Sequence, residues 1–116
     1  MDVLILAGDE TLRDWLLEFL PQHTPTVVSS PAEVWRNLEG RRFALVILTN
    51  FRIIGAASIL QAVTAVPDDY DAPVLFLAGY LDAELKAECS RRRIPWRRVP
   101  ITPEGLRREL RLALDS

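Results

Sequence analysis

The chain has 116 residues, 49% of them hydrophobic and 26% charged, with a formal net charge of −2. At about 100–200 residues per domain this predicts one domain over residues 1–116, with enough apolar material to exclude a disordered chain. The longest apolar run, Phe43–Leu48, is too short for a membrane helix, Met1-Asp2 opens without a basic segment, and the one cysteine, Cys89, has no internal disulfide partner, so a cytoplasmic protein is expected.

Strand-like and helix-like segments then alternate along the chain. Short apolar, β-branched runs predict strands at Val3–Ala7, Thr26–Ser29, Phe43–Thr49, Val74–Ala78 and, more weakly, Trp96–Val99. Between the first two, Leu12, Trp15, Leu16, Phe19 and Leu20 follow i, i+3, i+4, i+7, i+8 and define the inner face of a first helix. Ser30-Pro31-Ala32-Glu33 reads as a capping box with proline at the first helical position. It opens a second helix through Val34, Trp35 and Leu38, which Gly40 is expected to close. A third helix is predicted from Gly55 or Ala56 to about Val66, and a fourth over roughly Leu81 to Arg91. A fifth begins at Thr102-Pro103-Glu104, with Leu106, Leu110, Leu112 and Leu114 expected to supply its apolar contacts.

Five strand–helix units in this order imply a parallel sheet with right-handed crossovers and helices on both faces. The near-continuous apolar strands at Leu4–Leu6 and Ala44–Leu48 fit interior strands buried on both sides. Ligands of such sheets bind outside the carboxyl ends of the strands. The candidate positions are therefore Gly8, Asp9 and Glu10, then Thr49 and Asn50, then Ala78 and Gly79, and last Val99 and Pro100.

From Val3 to Leu112 the chain resembles the receiver domain of bacterial response regulators. The resemblance rests on Leu4-Ile5-Leu6-Ala7-Gly8-Asp9-Glu10 at the first strand, Phe43 to Thr49 at the third, Pro73-Val74-Leu75-Phe76-Leu77-Ala78 at the fourth, and Val99-Pro100-Ile101-Thr102-Pro103-Glu104 at the fifth. It implies a flavodoxin-like (CheY-like) three-layer α/β/α sandwich with strand order 2-1-3-4-5. It also implies that Thr49 stands where receivers carry the phosphate-accepting aspartate. By the same resemblance Gly8 replaces the first residue of the acidic pair, Ala78 the strand-four hydroxyl and Val99 the strand-five lysine. Asp9 alone keeps its type and is a candidate ligand for Mg2+, an ion that takes one or two carboxylates among its oxygens. A threonine forms no acyl phosphate, and a register shift to Asn50 places an amide there. The expectation is a pseudo-receiver: no enzyme, no aspartyl phosphorylation and no obligatory cofactor.

Charge is unevenly distributed. Residues 1–90 carry 6 basic and 13 acidic side chains, a sum of −7, whereas residues 91–116 carry 8 arginines against Glu104, Glu109 and Asp115, a sum of +5. Arg91, Arg92, Arg93, Arg97, Arg98, Arg107, Arg108 and Arg111 fall on the end of the fourth helix, the fifth strand and the fifth helix, the usual docking surface of the family that the chain resembles. A protein-docking face with Trp96, Arg97, Arg98, Arg107 and Arg111 as anchors is favoured over a merely solvated surface, since tryptophan and arginine are enriched at interface hot spots. Self-association there has to overcome arginine repulsion unless acidic residues cross over to pair. A nucleic-acid-associated module ranks lowest, because the chain is acidic overall and lacks a base-reading motif. A regulator switched by a small ligand or metal near Asp9 is the remaining alternative.

Overall fold

The computed structural model describes residues 2–8, 10–49, 63, 64, 66, 67, 70–79, 83–98 and 102–114. Five strands, β1 (Asp2–Leu6), β2 (Thr24–Val28), β3 (Leu45–Thr49), β4 (Val74–Ala78) and β5 (Trp96–Arg98), form one sheet in the order β2-β1-β3-β4-β5. Every neighbouring pair is parallel. The described helices are α1 (Glu10–Glu18), α2 (Pro31–Leu38), α3 (Ala83–Arg92) and α4 (Pro103–Leu114). The predicted third helix lies outside the described residues except for Val63 and Thr64, which are helical, and Val66, so α3 and α4 are the fourth and fifth helices of the sequence reading.

Side chains alternate across each strand and divide the core in two. Leu4, Leu6, Val46, Leu48, Phe76 and Ala78 pack with Val34 and Leu38 of α2 and Leu85 and Cys89 of α3. Val3, Ile5, Leu45, Ile47, Leu75 and Leu77 pack on the other face with Leu12 and Leu16 of α1 and Leu106, Leu110 and Ala113 of α4. The central strands β1, β3 and β4 are therefore apolar on both faces, as interior parallel strands must be. Among the described residues no helix is long and apolar enough to cross a membrane.

The predicted caps form. Ser30 Oγ accepts from the Glu33 amide at 3.4 Å, and the Glu33 carboxylate reaches back to the Ser29 amide at 3.0 Å. Thr102 Oγ1 accepts from the Gly105 amide at 3.0 Å. Three expectations differ. Leu112 is 58% exposed, because the inward stripe of α4 runs Leu106, Leu110, Ala113 and Leu112 lies off it by helical rotation. Trp35 is 47% exposed for the same reason, one residue past the inward Val34. Gly40 does not take up a left-handed φ; α2 ends through Glu39, still in right-handed geometry, whose amide donates to the Trp35 carbonyl.

The left-handed terminator stands at the end of α3, on Arg93 with φ 58°. Its amide donates to Ser90 O at 3.2 Å and that of Ile94 to Cys89 O at 2.9 Å. These are the paired bonds of a Schellman end, closed here by a residue with a Cβ.

Candidate functional site

The carboxyl edge of the sheet is where the fold places ligands. Gly8, just past β1, and Glu10, opening α1, are exposed there. Asp9, Asn50, Val99 and Pro100 lie outside the described residues. Thr49 closes β3 opposite Leu77 of β4 and is fully buried. Its Oγ1 donates to the Leu6 carbonyl of β1 at 2.7 Å. That bond holds the hydroxyl against main chain instead of presenting it at the rim. Ala78, at the end of β4, is buried among the residues under α2 and α3, whereas Thr49, two residues past Ile47, belongs by alternation to the side of α1 and α4. Between them the described strand ends offer no carboxylate. Among the described residues no group of three His, Cys, Asp or Glu side chains gathers where it could hold a metal ion.

The predicted interaction residues fall on two surfaces. Trp96 is half-buried against the core under α3, with the Lys86 ammonium 5.7 Å from its ring centroid. Its neighbour Arg97 turns the other way, toward α4. Arg97 Nε donates to Glu109 Oε1 at 2.9 Å and Nη1 to the Trp96 carbonyl at 2.7 Å. Glu109 is only 5% exposed, so this pair fastens β5 to α4. Arg98 is exposed on the edge strand. Arg107 instead faces α1, its guanidinium 5.3 Å from the Phe19 ring centroid, and Arg111 follows one turn later on the same side of α4.

Two further arginines of the cluster have internal roles that the sequence reading missed. Arg92, largely buried, donates Nε to Glu88 at 2.7 Å and Nη1 to the carbonyls of Val63 and Val66. It thereby ties α3 to the segment before β4. Arg91 donates to the same Glu88 carboxylate at 2.6 Å. Hydrogen bonds from Arg91 and then Arg92 hold the Glu88 carboxyl down at about 2. On the inward side of α3, burial and the Glu88 charge push the Cys89 thiol up, the reverse of the activation that cationic neighbours alone would give.

The parallel five-stranded sheet in the order 2-1-3-4-5, covered by helices on both faces, is the CheY-like, flavodoxin-like fold, and the chain's structural neighbours are response regulator receiver domains. A signal receiver domain of a two-component histidine kinase from Clostridium thermocellum is similar with a TM-score of 0.82 at 12% identity, covering 99% of this chain and 98% of that one. The receiver domain of a modulated diguanylate cyclase from Desulfovibrio desulfuricans has a TM-score of 0.79 at 17% identity, covering 98% and 93%. The chemotaxis protein CheY4 of Vibrio cholerae has a TM-score of 0.75 at 18% identity, covering 97% and 98%. By sequence, no protein family and no curated protein matches the chain. The likeness is therefore one of fold.

Proposed function

We propose that this chain is a pseudo-receiver: a signalling module of two-component type that works by protein contact, without aspartyl phosphorylation and without catalysis of its own. The observation that carries the reading is Thr49. At the strand end where the resemblance expects a phosphate-accepting carboxylate, the chain has a fully buried threonine whose hydroxyl is bonded to Leu6 O. Acyl-phosphate formation needs a carboxylate oxygen open to in-line attack, with a cation to neutralise the incoming charge. The family's strand-four hydroxyl is likewise replaced by the buried Ala78.

In this reading the protein acts in the cytoplasm, needs no cofactor, and leaves Asp9 as its one candidate Mg2+ ligand. A protein partner docks on the α3–β5–α4 side, with Trp96 and Arg98 as its outward anchors and Arg97 set by Glu109. The test is intact-mass measurement after incubation with Mg2+ and a small-molecule phosphodonor such as acetyl phosphate. The expected result is an unmodified chain. A phosphoryl adduct that hydroxylamine removes would mark an acyl phosphate and overturn the reading.

A further inference from the structure

We propose that the outer side of α1 and α4 is a self-association surface, on which α1 of one copy meets α4 of a second copy and the reverse. The proposal stands apart from the signalling reading and rests on charge and helix placement.

The two helices lie over the same core cluster, and Arg107 of α4 contacts Phe19, the residue that follows α1. Their outer surfaces have opposite sign. On α1, Glu10, Asp14 and Glu18 follow i, i+4, i+8 and all three are exposed. On α4, Arg107, Arg108 and Arg111 are exposed beside Leu112. Among the described residues Asp14 has one side-chain partner, Arg13 of its own helix, at 3.1 Å. Among the described residues no side-chain hydrogen bond or ion pair involves Glu18, Arg108 or Arg111. Like charges one turn apart oppose each other within a helix. Both stripes therefore gain from a surface of opposite sign.

The topology sets how a second copy supplies that surface. Each helix begins just past the carboxyl end of a parallel strand and runs back along the sheet, so α1 and α4 point the same way. Asp14 and Glu18 stand in the second and third turns of α1, and Arg107, Arg108 and Arg111 in the second and third turns of α4. A twofold axis parallel to the helices and between them keeps every residue at its height while laying α1 over the partner's α4. Asp14 then faces arginine at position 107 or 108 of the second copy, and Glu18 faces arginine at position 111. The same contacts repeat on the other side, and the assembly closes as a dimer. An axis across the helices would instead lay carboxylates on carboxylates. Glu10 stands level with Glu104, so that end of the contact opposes like charges and subtracts from the gain.

Helices of about 14 and 18 Å side by side offer less area than the roughly 800 Å² per partner of a standard interface. Charge complementarity is thus the main driving term, and salt screens it. The dimer is weak and confined to low ionic strength, with Leu112 as its apolar contact.

Sedimentation equilibrium tests this on three chains: the unaltered protein, Asp14→Lys/Glu18→Lys, and Arg108→Glu/Arg111→Glu, each checked for folding by circular dichroism. The unaltered chain is expected to dimerise at low salt and dissociate as salt is added. Each variant is expected to lose at least about tenfold in association. Mixed in equal amounts, the two variants form a heterodimer, because both contacts are then complementary. The chain that carries all four substitutions dimerises again by itself. A monomeric unaltered chain at low salt, association indifferent to charge reversal, or a mixture that stays monomeric would each overturn the proposal.

Discussion

The strand ends around Thr49 and the arginine-rich surface beyond residue 90 treat polar groups in opposite ways. At the strand ends the Thr49 hydroxyl is turned in and bonded to Leu6 O, with Ala78 buried at the end of the neighbouring strand. On the α3–β5–α4 side charge is kept, and each arginine has its own role: Arg92 as a strut, Arg97 as a clasp on Glu109, Arg98 facing solvent. The difference teaches that a residue's type says little about its work until its partner is known. The Thr49 hydroxyl is part of the core. A run of surface arginines includes two that hold elements together.

The contrast breaks most sharply at Thr49. Replacing it by aspartate would bury a carboxylate with no cation beside it in the described structure, and is expected to destabilise the fold by about 3 kcal/mol at neutral pH. Thr49→Val, which removes only the hydroxyl, should cost about 1 kcal/mol. Urea unfolding of both variants reads the ratio, and equal effects would mean that Thr49 is not sealed.

On the charged side, Arg97→Ala leaves the buried Glu109 carboxylate without its partner and is expected to cost about 1–2 kcal/mol, discounted because Arg97 is half exposed. Arg98→Ala should change stability by less than about 0.5 kcal/mol. The pair of values separates clasp from solvated charge. It also makes Arg98→Glu the cleaner variant for partner docking, since a glutamate at position 97 would oppose Glu109.

Arg93→Gly is expected to stabilise the protein by about 1 kcal/mol, because the left-handed Schellman position then carries no Cβ. The last effect is electrostatic. Glu88 is held at about 2 in the folded chain, against an ordinary 4.5. Its contribution to stability is therefore complete above about 4.5 and is lost as pH falls toward 2. Glu88→Gln should flatten the acid limb of stability over that window, which denaturation at a series of pH values measures.

Much of the fold was legible in the sequence because apolar spacing reports directly which side of an element faces inward. Leu12 and Leu16, Val34 and Leu38, Leu106 and Leu110 all sit on the predicted inward stripes. Trp35 and Leu112 were misread because an apolar side chain adjacent to a stripe in sequence is rotated away from it in space. The clasp was visible only as an anomaly. Glu109 lies three residues past Leu106 and one before Leu110, on the inward side, and a buried carboxylate there calls for a cation. That the cation is Arg97 depends on how α4 lies beside β5, which no local pattern encodes. The strut of Arg92 likewise depends on main-chain carbonyls of Val63 and Val66 brought close by the tertiary fold. At the candidate site the sequence shows the residue types, but the bond from Thr49 to Leu6 joins two strands distant in sequence and depends on how they pair.

In the proposed reading the strand ends do not respond to a phosphoryl group. A two-dimensional amide NMR spectrum with and without Mg2+ and beryllofluoride, a phosphoryl mimic, tests it most directly. No shifts are expected at Gly8, Thr49 and Ala78. Specific, saturable shifts at those residues would overturn that reading.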